Sequence, residues 1–260
     1  MNGPKTPSLA ALLTDFGAAS VYPAVMKGVM LGLCPSARIV DFSHGVPPGD
    51  IAAGAFTLMQ GAPYYPEGTL FVCVVDPGVG TDRRLLWAAS GGRQFLAPDN
   101  GLLSWLDEGQ AVFEEMRSVE NGELFLQPVS GTFHGRDIFA PAAARLLNGF
   151  APEQLGPRVQ DMKRLPFPRP HDSNGKLEGA VLFVDSFGNC ITNVKASQAG
   201  NREGFFGGVR LGASRKTYGL AEKGQAAVVE GSAGFLELAV NGWSFAEKFR
   251  AEAGDKVVFK

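Results

Sequence analysis

The chain is poor in the residues on which metal and redox chemistry depend. Its 260 residues include three histidines (His44, His134, His171) and three cysteines (Cys34, Cys73, Cys190). They form no ligand-spaced pair, so no zinc site and no other metal centre is expected. Three widely spaced cysteines in apolar surroundings make no disulfide framework; buried reduced thiols, and with them a cytoplasmic location, are the expectation. Positive charge is not in excess either. Lys and Arg number 24 against 26 Asp and Glu, a net charge of −2, so nothing favours neutralising phosphates and nucleic acid is not an expected partner. No apolar run approaches the roughly 18 residues of a membrane span, so a membrane is not expected as a partner. The opening MNGPKTPSLAALLTDFG carries one lysine and soon reaches Asp15, which reads as a first strand rather than an export signal.

An apolar fraction of 45% and a charged fraction of 19% describe an ordinary globular protein, long enough for one large domain or two smaller ones. Three short, continuous apolar runs, LAALLTD (Leu9–Asp15), ARIVDFS (Ala37–Ser43) and TLFVCVVD (Thr69–Asp76), predict strands buried on both faces. Helical patterns lie between them, over SVYPAVMKGVMLGL and DIAAGAFTLMQG, the second with Asp50 as its N-cap. Further helices are predicted over DNGLLSWLDEG and RDIFAPAAARLLNG. Such alternation predicts an α/β fold, a mainly parallel sheet flanked by helices, over residues 1–165. The proline-rich stretch 163–175 reads as a linker. Beyond it, LEGAVLFVDSFGNCITNV, FFGGVRLG, RKTYGLA, QAAVVEGSAGFLELAVNG and DKVVFK are strand-like pieces separated by glycine-rich turns, with helical character only near Trp243–Phe249. Residues 176–260 are therefore expected to form a C-terminal antiparallel β domain, barrel-like in form.

Ligands of open α/β sheets bind beyond the carboxyl ends of the strands, and three predicted strands carry an aspartate there: Asp15, Asp41 and Asp76. Capping or turn formation explains such residues equally well. Asp15 stands apart because Phe16-Gly17 separates it from the next helix, and a carboxylate so placed can accept both hydroxyls of a ribose. Asp41 stays open between a turn and a site wall. Asp76 opens DPGVGTDRR, which lacks the lysine and hydroxyl of a phosphate-cradling loop. Read as a nicotinamide fingerprint, the stretch puts Arg83 where the third glycine must be. A structural Asp76–Arg83 ion pair and a hydrolytic centre both remain. A carboxylate carried out of so apolar a strand is costly without a purpose. His134, in the glycine-flanked loop of GTFHGRDIFAPAAARLL, and the tight turn APDNG supply further polar groups at helix starts.

LLTDFG, MKGVMLGLCPSARIVDFSHGVPPGDIAAGAF, YYPEGTLFVCVVDPGVGTDRR, APDNG, TFHGRDIFAPAAARL, VDSFGNCITNV and SAGFLELAVNG, taken together and in order, resemble the S-adenosylmethionine hydroxide adenosyltransferase family, hydrolytic relatives of the bacterial fluorinase and chlorinase. The resemblance implies an N-terminal α/β domain, a C-terminal antiparallel β domain and a homotrimer with active sites between subunits. It implies cleavage of S-adenosyl-L-methionine by water to adenosine and methionine, without a cofactor or metal. By motif, the implied catalytic triad is Asp76, Arg83 and His134, with Asp15 on the ribose hydroxyls. Asp185 and Asn189 would meet the methionine portion, with Phe187 stacking nearby. Ser232 and Glu237 would contact the methionine end, and the Asn241-Gly242 backbone the adenine edge. Ala24 stands where relatives usually carry glycine, which puts close backbone packing there in question. A plain hairpin turn is the alternative for SFGN. Halide transfer to S-adenosylmethionine, and binding of S-adenosylmethionine or adenosine without catalysis, are the competing activities.

For the implied reaction, departure of a sulfonium as a neutral thioether needs no general acid. The site has to place a water behind C5′ and raise its nucleophilicity. Asp76 and His134 can accept hydrogen bonds from that water while Arg83 holds the carboxylate. His134 has the most suitable ordinary pKa for taking the proton, ~6.5.

Overall fold

A computed structural model describes residues 6–260, leaving the first five residues of the expected N-terminal domain, and that part of the strand-versus-signal reading, outside it. The chain forms two compact units, one ending at Phe167 and one running from Pro168 to Lys260.

The first unit holds a six-stranded sheet built from β1 (Leu9–Thr14), β2 (Ile39–Ser43), β3 (Thr69–Val74), β4 (Leu85–Ser90), β5 (Arg93–Pro98) and β6 (Glu115–Ser118), in the order β2-β1-β3-β5-β4-β6. The β2–β1, β1–β3 and β3–β5 pairs are parallel, and β4 pairs antiparallel with β5 and β6. Every residue of β3 is buried, as its unbroken apolar run requires of a strand covered on both faces. One cover is made by α1 (Tyr22–Leu33) and α3 (Ala140–Leu147), whose Met26, Met30, Ala140 and Ala144 pack with Leu12, Leu70 and Val72. The other includes α2 (Ile51–Gly61), where Gly61 lets the Phe42 ring approach and Phe42 meets Phe71 edge-on. Asp50 caps α2 as predicted, its carboxylate accepting from Ala53 N at 2.9 Å. Ala24 is exposed, so its methyl group asks nothing of the packing.

The strand order matters for function. From β1 the chain passes through α1 to β2 on one side, then through α2 to β3 on the other. The crevice at the carboxyl ends of β1 and β3 is thus a topological switch point, the place where such sheets bind ligands. Thr14 pairs with Val74, so Asp15 and the Val75-Asp76 step leave the sheet side by side.

The second unit is all antiparallel: β7 (His171–Ser173), β8 (Lys176–Val184), β9 (Cys190–Lys195), β10 (Glu203–Phe206), β11 (Val209–Ala213), β12 (Ala226–Glu230), β13 (Phe235–Val240) and β14 (Lys256–Phe259). Seven of them run β11-β10-β14-β8-β9-β13-β12, with β7 added onto β8. Arg215, just past β11, bridges to Val229 of β12, so the sheet curls until its edges meet, nearly a barrel. Val181, Leu236, Leu238, Phe245 and Phe259 fill the interior. The expected helix near Trp243–Phe249 is α5 (Phe245–Phe249), capped by Ser244; a short α4 (Ala196–Ala199) follows β9.

Several predicted elements differ. Residues 99–109 are not an α-helix. Asn100 Oδ1 accepts from Leu102 N at 3.1 Å and Asn100 Nδ2 donates to Val75 O at 2.8 Å, while Asp107 and Glu108 have φ of 47° and 52°. Local side-chain bonds of this kind compete with helical ones. RKTYGLA contributes only the Arg215 bridge and a short 3-10 turn at Tyr218–Leu220. The helix predicted from Arg136 begins as a wide π-turn, Gly135–Phe139, before α3. Residues 163–167 are held to the first unit by Lys163 N on Asp99 Oδ1 (2.7 Å) and Leu165 N on Ser104 Oγ (2.8 Å), and His171–Ser173 pair with β8 in the second.

Candidate active site

Asp76 stands two residues past β3, at the start of a tight turn in which Val79 N donates to Asp76 O at 3.2 Å and Thr81 N to Gly78 O at 3.2 Å. The turn returns the chain so that Arg83 faces Asp76. Arg83 Nε lies 2.8 Å from each carboxylate oxygen, and Nη2 donates to Oδ2 as well. The same Nη2 is 2.9 Å from His134 Nδ1. Asp76 and Arg83 side chains are only 4% and 5% exposed, so the pair is shielded from solvent screening. A structural ion pair is therefore present, but the histidine drawn onto the same guanidinium is more than such a pair needs.

Two glycine-rich loops make the convergence possible. Gly80 has φ 79°, and a Cβ there would lie 2.2 Å from the carbonyl oxygen of Gly131. Only glycine allows the Asp76 turn to touch the His134 loop so closely. That loop is fixed from below by Asp137, 1% exposed, which accepts from Ser130 N at 2.8 Å and from Arg136 Nε and Nη2 at 2.6 and 2.9 Å. His134 is the residue before the π-turn.

Burial, first, and the Arg83 charge, second, hold the His134 pKa below its ordinary value, against the opposing pull of Asp76 and Asp137. The imidazole is neutral at pH 7. Because an arginine can only donate, Nδ1 is the acceptor and the proton sits on Nε2, a tautomer assigned from the hydrogen-bond pattern.

Asp15 follows β1, and its Oδ2 accepts from Gly49 N at 2.7 Å. Gly49 in turn lies against Pro77, the residue after Asp76, so Asp15 and the Asp76 turn share one rim of the crevice. Asp41 is half-exposed and is bound to Lys27 Nζ at 3.0 Å and His44 Nε2 at 2.8 Å. These contacts make it a member of a surface ion pair, beside the turn and site-wall readings.

In the second unit, the remaining predicted residues Asp185, Phe187, Asn189, Ser232, Glu237 and Asn241 all line one pocket of about 690 Å³. The SFGN segment is indeed the β8–β9 hairpin turn. Asp185 Oδ1 accepts from Phe187 N (2.9 Å) and Asn189 N (2.8 Å), and Oδ2 from Asn189 Nδ2 (3.0 Å). Turn and pocket wall are the same residues. Phe187 and Trp243 are exposed, at 79% and 64%. Glu237 accepts from the Tyr218 hydroxyl. Burial raises its pKa and the Asp185 charge adds to the rise, while the Tyr218 bond opposes it. Gly231 makes room for Glu237, since a Cβ there would lie 2.1 Å from Oε1. Asn241 Nδ2 donates to Ala221 O at 2.8 Å and its backbone N–H to Gln225 O at 3.1 Å, leaving the expected adenine-edge contact to other atoms of the Asn241-Gly242 step. Tyr218, Trp243 and Ser244 also line the pocket and were not foreseen as site residues. The only sequence signal for Tyr218 is a lone aromatic in a polar, glycine-containing stretch. The lining carries two carboxylates and no lysine or arginine.

Among the described residues no group of three or more His, Cys, Asp or Glu is placed to hold a metal ion, and no helix is long and apolar enough to cross a membrane. Cys34, Cys73 and Cys190 are free and buried; burial pushes Cys190 up to about 12.

A covered α/β sheet with a charged cluster at its switch point, followed in the chain by a curled antiparallel sheet with its own pocket, defines a two-unit α/β–β class. Comparison with known proteins narrows it. Residues 10–156 match the SAM hydroxide adenosyltransferase N-terminal domain and residues 179–258 the C-terminal domain of the same family; the chain belongs to this family. It is 42% identical over 252 residues to an (R)-S-adenosyl-L-methionine hydrolase from Thermus thermophilus, covering 93% of this chain and 95% of that one. A crystal structure of an uncharacterized conserved protein from Thermotoga maritima superposes with a TM-score of 0.88 at 35% identity, covering 96% of this chain and 99% of the other. A fluorinase from an Actinoplanes species is more distant, 30% identical over 213 residues and 72% of this chain.

Proposed function

We propose that this protein hydrolyses S-adenosyl-L-methionine to adenosine and L-methionine, with Asp76, Arg83 and His134 as its catalytic group. The observation that carries the reading is the single guanidinium that donates to both the Asp76 carboxylate and His134 Nδ1. It gives two functional side chains one fixed orientation at the switch point.

The chemistry follows from that geometry. Water attacks C5′ as the C5′–S bond breaks, the sulfur leaves with the bonding pair as a neutral thioether, and one proton must be lost from the water. His134 presents an N–H from Nε2, because Nδ1 is taken by Arg83. In this state it donates to the water oxygen and orients it, and it does not act as the base. Asp76, as a carboxylate, has about four lone-pair sites, so it can accept from the water while Arg83 holds it. The proton leaves toward Asp76. Arg83 keeps the carboxylate pointed and stabilises the hydroxide character that develops. Positioning of this kind supplies up to roughly 7–11 kcal/mol in well-oriented reactions. An anionic nucleophile meeting a sulfonium also destroys charge, which a water-poor site favours.

Substrate is held by Asp15 on the ribose hydroxyls and by the pocket of the second unit. Asp185 and Glu237, in a lining that includes no lysine or arginine, suit the positively charged methionine end. Asn189 and Ser232 add polar contacts, and Phe187 offers a flat face for stacking. The working form is a homotrimer with sites between subunits, in the cytoplasm, where three buried free thiols stay reduced.

Incubation of the pure protein with S-adenosyl-L-methionine and chelator, with and without added chloride or fluoride, tests the proposal. Equimolar adenosine and methionine are expected in every case. A 5′-halo nucleoside or an absence of turnover would assign the site to halide transfer or to binding alone.

A further inference from the structure

His44 takes no part in the chemistry above, yet it stands in a chain of side chains that reaches Thr14, the residue before Asp15. Its ring is 8% exposed. Nδ1 lies 2.8 Å from Thr14 Oγ1 and Nε2 2.8 Å from Asp41 Oδ1. Asp41 is anchored in turn by Lys27 Nζ, 3.0 Å from each oxygen. A carboxylate accepts, so Nε2 carries the proton. In the neutral ring Nδ1 is the acceptor and the Thr14 hydroxyl donates to it, a tautomer assigned from the hydrogen-bond pattern. The Thr14 oxygen keeps a lone pair for Phe16 N, at 3.3 Å. Every proton in the chain has a place.

Hydroxyl, imidazole and carboxylate in a row have the order of a hydrolytic triad, but Thr14 is fully buried and cannot reach a substrate. What the chain does hold is the loop around Asp15. Thr14 and Phe16, on either side of Asp15, are tied to the His44 ring directly or through the Thr14 hydroxyl. Gly17 N donates to His44 O at 2.9 Å. The Asp15 carboxylate itself is bound to Gly49 N, a few residues beyond His44. Asp15 therefore sits in a clamp whose other half is the segment from His44 to Gly49.

We propose that His44 is a positioning residue for Asp15, fixing the Thr14–Gly17 loop so that the carboxylate meets the ribose hydroxyls. The inference rests on the reading of Asp15 as the ribose contact. Asparagine and glutamine separate the two ring nitrogens. His44→Gln retains a donor near Nε2 and loses the acceptor for Thr14; His44→Asn retains the acceptor and loses the Asp41 link.

Binding of adenosine and of 2′,3′-dideoxyadenosine, measured by calorimetry on the intact protein, and KM and kcat for S-adenosyl-L-methionine provide the test. Thr14→Val serves as a second route to the same break, and Asp15→Ala as the reference. His44→Gln and Thr14→Val are expected to weaken adenosine and raise KM about tenfold, the scale of one lost hydrogen bond to an ionised system, with kcat little changed. Dideoxyadenosine should bind all variants alike, and His44→Asn should recover most of the adenosine preference. Equal weakening of both nucleosides, or an unaltered adenosine preference in both His44→Gln and Thr14→Val while Asp15→Ala abolishes it, overturns the proposal and leaves the ribose reading standing. An Asp15→Ala protein that still prefers adenosine overturns both.

Discussion

Arg83 Nη2 donates to His134 Nδ1 at 2.9 Å, and that contact leaves Nε2 as the imidazole nitrogen that carries the proton. A histidine so held has its lone pair spent on the guanidinium. In the proposed mechanism it offers an N–H to the reacting water, and it takes up a proton only by giving up Arg83.

A pH profile follows. Burial and the Arg83 charge depress the His134 pKa, so the neutral, active form persists below the ordinary value of about 6.5. Protonation places an Nδ1–H against an arginine. The logarithm of kcat/KM should be flat through neutral pH and fall on the acid side with a midpoint below that of an ordinary histidine. A midpoint above it would mean that the pull of Asp76 and Asp137 outweighs burial and the Arg83 charge.

Removing one member of the cluster should stop turnover in each case. Asp76→Ala, Arg83→Ala and His134→Ala are each expected to lower kcat about 10²–10⁴-fold, and double variants to lose little more, since groups acting on one water work as a unit. Stability should separate them. Arg83→Ala strands a nearly buried carboxylate, which costs about 3–5 kcal/mol, whereas His134→Ala strands no charge. Thermal unfolding of the three variants measures this. A fully active His134→Ala beside an unfolded Arg83→Ala would reduce the cluster to a structural ion pair.

Gly80→Ala should damage the site without touching a catalytic side chain. The added methyl would meet Gly131 O at 2.2 Å from a backbone at φ 79°, forcing the Asp76 turn away from the His134 loop. Strain of about 1–3 kcal/mol is expected, with kcat falling and adenosine binding nearly kept. Wild-type kcat in this variant would show that the two loops need not touch.

Substrate binding should weaken in acid for a separate reason. Burial raises the Glu237 pKa, so this residue loses its charge at a higher pH than an ordinary glutamate, about 4.3. A carboxylate that grips a cationic ligand does so above its pKa, and affinity falls as pH drops through it. Glu237→Gln should bind weakly at all pH values and lose that dependence. Titration calorimetry across the acid range reads both.

Assembly has its own test. If sites are shared between subunits, His134→Ala and Asn189→Ala chains, each inactive or weak alone, should regain activity when mixed and refolded, because some sites then combine an intact cluster with an intact pocket. A fully active monomer, or exchange without complementation, contradicts shared sites.

The legible and illegible parts of the molecule divide on physical lines. β1 and β3 could be read because a strand covered on both faces must be apolar throughout, and Asp15 and Asp76 stood out against them. β4, β5 and β6 were not read. They carry polar residues whose satisfaction comes from across the sheet, such as Gln94, whose Oε1 accepts from Trp87 Nε1 at 2.9 Å. The 99–109 helix failed because Asn100 bonds its own backbone surroundings, a choice that apolar periodicity does not record. Asp76, Arg83 and His134 were all legible as motif residues. That Nδ1 accepts from Arg83 was not, since 51 residues separate them and no spacing fixes a ring's orientation. Tyr218 was invisible for the same reason: its hydroxyl gains meaning only from Glu237, on β13.

Turnover in water enriched in heavy oxygen tests the central claim most directly. If a water held at Asp76, Arg83 and His134 attacks C5′, mass spectrometry will find one heavy oxygen per turnover in adenosine, at the 5′-hydroxyl, and none in methionine. Unlabelled adenosine, label in the methionine, or accumulation of 5′-methylthioadenosine would place the attack elsewhere and contradict the account.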